Sequence, residues 1–172
     1  MVNNLEGNNI NHSKIVEAIK GSESKSNSPL NLSSSLGGSA LGLYQIVSDT
    51  RKQVYDTYFK NNMTKTEFDN LYLKDADFQK TVASKVSEMY YPKSQEQSQK
   101  YGVPVELASV LNYFLGTGGG DVYLKHYTGS NYNHTYAQQK YDDWYFDKYG
   151  KSNPNTKIRD YVIASLDRYY QK

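Results

Sequence analysis

"PVELASVLNYFL", residues 104–115, is the stretch that decides the fold, because apolar residues fill most of a pattern long enough for three helical turns. Pro104 suits the first turn of a helix, where its missing N–H is not needed. Gly116 follows directly and ends the pattern. The stretch therefore predicts a central, largely buried helix.

The first part of the chain predicts two helices joined by a serine-rich stretch and a turn. From Ser13, "SKIVEAIKGSE" puts apolar residues on one face of a short helix that Gly21 weakens, so Glu23 is expected at or just past its end. A serine-rich stretch follows, and "ALGLYQI", residues 40–46, predicts a turn leading into the next helix. We expect Asp49 or Thr50 to cap that helix, "TRKQVYDTYFK".

Between residues 64 and 92 two further helices are predicted. "TKTE", residues 64–67, fits a capping box, in which a hydroxyl and a carboxylate satisfy free backbone N–H groups. Asp75 precedes a second helical pattern, "ADFQKTVASKVSEMYY". Pro92 predicts a stop or a kink nearby.

Downstream, "GTGGGDVYLKHY" predicts a glycine turn with Asp121 capping another short helix, and two more helical patterns follow, starting near residues 135 and 155. No segment alternates apolar and polar residues with the period of two that is typical of a β-strand. The sequence therefore predicts a single mostly α domain of about seven helices over residues 13–172, preceded by a flexible, Asn- and Gly-rich arm over residues 1–12.

Composition narrows the class of protein. The 172 residues carry a net charge of +2 with both signs intermixed, which does not favour nucleic-acid binding. Mean hydropathy is −0.80, yet there are 18 tyrosines, so tyrosine rings are expected to supply much of the core. Zero cysteines exclude disulfides and thiolate chemistry. No apolar run is long enough to predict insertion into a membrane.

Glu23 is the residue whose position suggests chemistry. Cleaving a glycoside needs a carboxyl group that stays protonated near neutral pH, which burial against apolar walls achieves. The apolar side chains of "ALGLYQI" supply such walls if the loop lines a cleft. From the local context alone, a solvated glutamate near a helix end is the simpler interpretation.

Two motifs in the same order resemble a known family. "ES" at residues 23–24 followed by "GGSALGLYQI" is similar to the glutamate-serine and "GA.GLMQ" signature of lysozyme-like lytic transglycosylases, which include soluble lytic murein transglycosylases and goose-type lysozymes. "NYFLGTGGG", residues 112–120, resembles the later "AYNAGPG" motif and the "HFLGPGGA" form of bacteriophage members. The resemblance spans roughly residues 13–127 and implies a lysozyme-like fold with a catalytic cleft.

By position, the resemblance implies that Glu23 is the catalytic acid. The residues expected to contact the sugar are Ser24, Gly42, Leu43, Tyr44, Gln45 and Tyr113.

The sequence also departs from the family pattern. Tyr44 replaces the usual methionine, Phe114 an asparagine and Thr117 a proline. The serine-rich insertion leaves open which of Ser33, Ser34 and Ser35 matches the family's serine. These changes concern sugar contacts and leave the proton donor in place.

The resemblance implies that one glutamate acts twice, first as general acid on the glycosidic oxygen and then as general base on the C6 hydroxyl of N-acetylmuramic acid. The product would be a 1,6-anhydro sugar, and no cofactor or metal is implied. A second carboxylate is not mandatory, unlike in the usual two-carboxylate glycosidase. Asp49 is the nearest one after the turn, and a helix cap is its simpler role.

Other side chains are given simpler interpretations. Tyrosine-rich segments at residues 88–93, 126–136 and 140–149 would serve as sugar platforms or, more simply, as core and rim packing. His12, His126 and His134 have no metal-binding spacing and are expected at the surface.

Two alternatives stay open at this point: a hydrolytic muramidase on the same fold, and a catalytically degenerate wall-binding or structural phage tail module. The expected partners are peptidoglycan glycan strands, together with other virion or secretion-machine proteins. The amino terminus lacks a basic segment followed by an apolar core, as a secretory signal would have. We therefore expect a virion-associated or machine-delivered protein that acts at the cell wall or in the periplasm.

Overall fold

A computed structural model describes residues 9–23 and 40–171 of the chain, with the side chain of Glu23 excepted. Within these ranges the protein is built from α-helices joined by short connections, and one isolated backbone bridge is the only strand-like pairing. The prediction of a mostly α fold with about seven helices is confirmed. The helices are α1 (His12–Glu23), α2 (Ser48–Val54), α3 (Lys65–Lys74), α4 (Ala76–Tyr101), α5 (Val105–Gly129), α6 (His134–Tyr149) and α7 (Ile158–Tyr170).

The chain is divided into two compact units. The first unit is His12–Met89, and the second unit combines Met1–Asn11 with Tyr90–Lys172, so the division falls within α4. Both are helical. The expectation of one lysozyme-like domain over residues 13–172 stays a prediction. None of the helices in the described ranges is both long and apolar enough to span a membrane.

The segment predicted as a flexible arm is described only from residue 9 onward. Ile10 is buried, the backbone N–H of Asn11 donates to the hydroxyl of Tyr169 at 3.4 Å, and the side chain of Asn9 accepts from Tyr91 at 3.2 Å. These contacts all lie within the second unit. Residues 9–11 therefore pack against the second unit.

Helix α1 begins at His12, one residue before the predicted start at Ser13, so Ser13 lies inside it and is not its N-cap. Ile15, Val16 and Ile19 are buried, as their spacing on one face predicts. Gly21 is tolerated within the helix, which ends at Glu23 as expected.

Helix α2 corrects the predicted cap. It starts at Ser48, with Val47 in the N-cap position and no side chain capping it, so neither Asp49 nor Thr50 has that role. Asp49 lies in the first turn, where its negative charge suits the helix dipole. The predicted single helix continues as a π-helical turn, Tyr55–Phe59.

Helix α3 begins with the predicted capping box. Thr64 Oγ1 accepts from the N–H of Glu67 at 3.2 Å, and Oε2 of Glu67 accepts from the N–H of Thr64 at 3.0 Å. Around the buried ring of Phe68 the first unit has an aromatic cluster with ring centroids 5.4–5.5 Å apart, comprising Tyr55, Phe59, Phe68 and Phe78.

Helix α4 shows that a stop, one of the two outcomes predicted at Pro92, is wrong, whereas the other, a kink, stays a prediction. The helix runs through Pro92 to Tyr101. A proline inside a helix removes one backbone hydrogen bond, which destabilises the helix locally. Burial of the neighbouring turns outweighs this loss. Ser94 and Gln97, just beyond Pro92, are both fully buried.

Helix α5 is the buried central helix that residues 104–115 predict. Ala108, Val110 and Leu111 are each 0% exposed. Gly116 interrupts it with φ 77° and ψ 166°, a conformation that favours glycine. The chain resumes the helix at once, so the expected glycine turn is this single residue, and Asp121 is not a cap but lies within the second half of the helix.

The last two helices match their predicted patterns. Asn133 caps α6 by accepting from the N–H of Tyr136 at 3.0 Å, and Gly150 ends it in the left-handed conformation with φ 69°. Gln138 on α6 then accepts from the N–H of Ile158 at 3.1 Å, which satisfies the first N–H of α7.

Candidate functional site

Glu23 is the last residue of α1, and the structure describes its backbone only. Whether its carboxyl group is buried therefore stays a prediction. Ser24 lies outside the described residues, as do Ser33, Ser34 and Ser35.

The segment "LGLYQI" forms a closed six-residue turn, which we call the 41–46 turn. Leu41 and Ile46 pair through two backbone hydrogen bonds of 3.2 and 3.3 Å. Gly42 has φ 84° and Gln45 has φ 48°, so one glycine and one non-glycine residue occupy the left-handed region. The side chain of Gln45 donates to the carbonyl of Gly42 at 2.8 Å. The turn is therefore a strained but internally bonded loop.

Two residues outside the turn hold its backbone. Gln79, at the start of α4, accepts from the N–H of Leu43 at 2.8 Å. Tyr72, near the end of α3, donates its hydroxyl to the carbonyl of Leu41 at 2.7 Å. Both side chains are almost fully buried. Burial raises the pKa of Tyr72 far above its ordinary value, which keeps the hydroxyl protonated as a donor.

Arg51 on α2 adds a third contact. Its guanidinium donates to the carbonyl of Ile46 and lies 5.4 Å from the centre of the Tyr72 ring. This arrangement combines a charge-assisted hydrogen bond with a cation–π contact. The closing end of the turn is therefore fixed to α2.

Tyr44 joins the turn to α1. Its hydroxyl donates to Oε1 of Glu17 at 2.7 Å, and Glu17 also pairs with Lys20 at 3.2 Å and Lys80 at 3.3 Å. Partial burial acts to raise the pKa of Glu17, but the hydrogen bonds from Tyr44 and Lys20 and the two lysine charges outweigh it, so this pKa lies below its ordinary value. Burial and the Glu17 charge raise the pKa of Tyr44.

Exposure separates the four turn residues expected to contact sugar. Leu43 and Gln45 are half-buried, so parts of their side chains are accessible. Gly42 is buried, and the Tyr44 ring is only 1% exposed. The Tyr44 ring therefore packs inside the first unit and supports the turn. Whether Tyr44 lines the sugar stays a prediction.

Tyr113 belongs to the second unit, whereas Glu23 and the 41–46 turn belong to the first. It is half-buried on α5, one turn before the break at Gly116. Its neighbour Phe114, which replaces the family asparagine, stacks on Tyr161 with ring centroids 3.7 Å apart. Phe114 therefore packs against α7.

A buried polar network lies beside this second motif. Asn112 donates to Ser94 at 2.9 Å and to Gln97 at 2.7 Å, and Gln97 donates to the carbonyl of Thr117 at 3.5 Å. Position 120 requires glycine, because a Cβ atom there would collide with the side-chain amide of Asn112. The network fixes the two halves of α5 to α4.

The histidines are more enclosed than the sequence suggests. His12 bonds to Ser87 and His134 to Tyr123, each at 2.7 Å, and all three histidines are half-buried rather than fully exposed. Burial lowers the pKa of each. Among the described residues no group of three or more His, Cys, Asp or Glu side chains is arranged to hold a metal ion.

The tyrosine-rich segments divide between core and surface. Tyr141 is buried, whereas Tyr132 is 57% and Tyr149 52% exposed. Packing therefore accounts for some of these rings, and whether the exposed ones bind sugar stays a prediction.

Comparison with family profiles, curated proteins and solved structures gave no match for this chain.

Sequence reasoning assigned no role in holding the turn to the four residues that do so: Glu17, Arg51, Tyr72 and Gln79. Tyr72 and Gln79 lie 31 and 36 positions from the turn residues they bind. No local spacing signals such contacts. The available clue was that Gln79 lies on an apolar helical face. A fully buried amide needs hydrogen-bond partners at both ends, so such a position predicts contacts with other segments.

Proposed function

We propose that this chain is a lytic transglycosylase that cleaves the β-1,4 bond between N-acetylmuramic acid and N-acetylglucosamine in peptidoglycan, with Glu23 as general acid and general base. The proposal starts from the resemblance of the "ES", "ALGLYQI" and "NYFLGTGGG" segments to that family. It is supported by the local structure of each described segment.

The observation that carries the proposal is the 41–46 turn. The family resemblance implies a compact turn that lines the substrate, following the helix that carries the acid. In the structure α1 ends at Glu23, and residues 41–46 form a closed turn with two residues at positive φ. Four partners from α1 to α4 hold this turn, which is more support than a surface connection requires.

Within this proposal, the carboxyl group of Glu23 gives its proton to the glycosidic oxygen as the bond from C1 of the muramic sugar breaks. The C6 hydroxyl oxygen of the same sugar bonds to C1, and the Glu23 carboxylate accepts the proton that this hydroxyl releases. Water is not consumed, and Glu23 returns to its starting state. Among the turn residues expected to contact the sugar, Leu43 and Gln45 keep accessible side chains. Tyr113 is the proposed contact from the later motif.

No cofactor takes part in this chemistry. The proposed partners are glycan strands, with other virion or secretion-machine proteins responsible for delivery to the wall or periplasm. The phage-like form of "FLGTGGG" supports local wall opening by a phage or a delivered protein.

Mass spectrometry of purified murein incubated with the protein tests the proposal. We expect muropeptides that end in 1,6-anhydro-muramic acid. Reducing-end products would instead mean a hydrolytic muramidase. If folded protein yields no products but sediments with murein, the wall-binding alternative replaces the enzyme.

Glu23→Gln tests the assigned residue. This variant should lose turnover while keeping its circular dichroism spectrum and melting temperature, because the amide cannot donate the required proton. Glu96→Gln is a matched control, since Glu96 is an exposed carboxylate paired with Lys93 at 3.2 Å. Turnover retained by Glu23→Gln would remove Glu23 from the mechanism.

A further inference from the structure

Gln79 is a fully buried amide whose two ends are both used by the backbone of neighbouring segments. Its Oε1 accepts from the N–H of Leu43, and its Nε2 donates to the carbonyl of Tyr72, each at 2.8 Å. A buried amide with both ends satisfied is held in one orientation, because any rotation leaves polar groups unpaired. Gln79 therefore sets the position of the Leu43 backbone relative to α3 and α4.

The fit around Gln79 is close. A Cβ atom on Gly42 would lie 2.6 Å from Oε1 of Gln79 and 2.9 Å from the hydroxyl of Tyr72. Such distances are well below van der Waals contact. The absence of a side chain at Gly42 is thus required for the turn to reach these two partners.

The turn needs this support because of its own geometry. Gln45 is a non-glycine residue at φ 48°, a conformation that costs free energy and persists only where surrounding contacts enforce it. Leu43, which Gln79 holds, and Gln45 are half-buried, as is Leu41 at the start of the turn. Moving Leu43 would therefore move the accessible part of the turn.

We propose that Gln79 is a positioning residue for glycan binding: it fixes the Leu43–Gln45 part of the 41–46 turn in the conformation that contacts the sugar. This inference rests on the proposed function, because it assumes that the turn binds a glycan strand. Gln79 itself is buried and is not assigned a contact with the substrate.

Gln79→Leu removes both amide contacts while keeping a side chain of similar size. Gln138→Leu is the matched control: the amide of Gln138 also accepts from a backbone N–H, that of Ile158 at 3.1 Å, and donates to a backbone carbonyl, that of Asn155 at 2.9 Å. Gln138 lies in α6, outside the proposed binding residues. Gln79→Asn is a milder variant, since its shorter side chain withdraws the acceptor from Leu43.

The measurement is co-sedimentation with purified murein, corrected for folded fraction by circular dichroism, together with product analysis. We expect Gln79→Leu to raise the Kd about tenfold, which corresponds to about 1.4 kcal/mol, and Gln138→Leu to leave it within about twofold. The maximal rate at saturating murein should change less than the Kd, because Glu23 is untouched. If Gln79→Leu does not fold, Gln79→Asn carries the test, and it should raise the Kd in the same direction.

Equal Kd values for the folded Gln79 and Gln138 variants would overturn the positioning role and leave the proposed function standing. A wild-type protein that binds murein without cleaving it would contradict the proposed activity, and the Kd comparison would still decide the role of Gln79. A wild-type protein that neither binds nor cleaves murein would overturn both.

Discussion

The hydroxyl of Tyr44 donates a 2.7 Å hydrogen bond to Oε1 of Glu17, and this bond ties the 41–46 turn to α1, the helix that ends at Glu23. Tyr44 stands where the resembled family has methionine, which cannot donate a hydrogen bond. The chain therefore has a polar connection between turn and helix that a methionine would not provide.

Tyr44→Phe removes this bond and keeps the buried ring. Hydrogen bonds to charged acceptors stabilise a fold more than bonds between neutral groups do. Glu17 is 38% exposed, however, so water can replace the lost hydroxyl, and we expect the free energy of unfolding to fall by about 1 kcal/mol. Urea unfolding measures it. Tyr149→Phe, at a tyrosine that is 52% exposed, is the control and should change stability little. Equal effects of the two substitutions would show that the bond to Glu17 contributes nothing.

The pKa of Glu17 predicts a pH dependence. Because the folded-state pKa lies below the ordinary 4.5, the stabilisation is fully present above that pH and is lost as the pH falls through the folded-state pKa. Tyr44→Phe removes one of the groups that lower this pKa, so the variant should lose less stability than the wild type between neutral pH and pH values below 4.5. Melting temperatures of both proteins across this range measure the difference. Parallel curves for the two proteins would contradict the assignment to Glu17.

The capping box and the long-range clamps show what the sequence could and could not predict. Thr64 and Glu67 are three residues apart and satisfy each other within one helical turn, so their pattern alone was sufficient. The contact between Tyr44 and Glu17 joins residues 27 positions apart, and its partner could not be chosen from spacing. The stop that Pro92 could have produced is absent for a related reason: the helix continues because packing around it outweighs the local effect of the proline.

The same limit applies to the candidate site. The 41–46 turn was predicted because Gly42 and the short apolar run are local signals. The burial of the Tyr44 ring could not be predicted, because it depends on neighbours distant in sequence, here Glu17 on α1. The roles of Glu23 and Tyr113 stay predictions.

Comparing Gly42 with Gly102, two glycines in the left-handed conformation, measures how closely Gly42 is packed. Gly42 has φ 84° and lies against Gln79 and Tyr72, whereas Gly102 has φ 64° and open space where a Cβ would be. Gly102→Ala should therefore cost about 1 kcal/mol for backbone conformation alone. Gly42→Ala adds a steric clash and should cost about 2–4 kcal/mol. Chemical denaturation of both variants gives the comparison, and similar losses would contradict the close packing of the turn.

His134 offers a prediction in the second unit. Burial and the charge of Arg159 lower its pKa below 6.5, and its Nδ1 bonds to the hydroxyl of Tyr123. Since burial is the larger cause, Arg159→Gln should raise this pKa only partly and leave it below 6.5. NMR titration of the ring protons measures the shift. His12, whose pKa is set by burial, Glu88 and Lys85, is the internal control and should not change.

The sign of the stability effect follows from the same pKa. The unfolded state binds a proton at His134 more readily than the folded state, so stability falls as the pH drops below 6.5. Arg159→Gln removes the positive charge that repels the protonated His134 ring. The fall in melting temperature between pH 7 and pH 5 should therefore become shallower than in the wild type. A steeper fall would show that Arg159 acts through the structure of the second unit rather than through its charge. A shift of the His12 pKa as large as that of His134 would show that the substitution alters the protein beyond that unit.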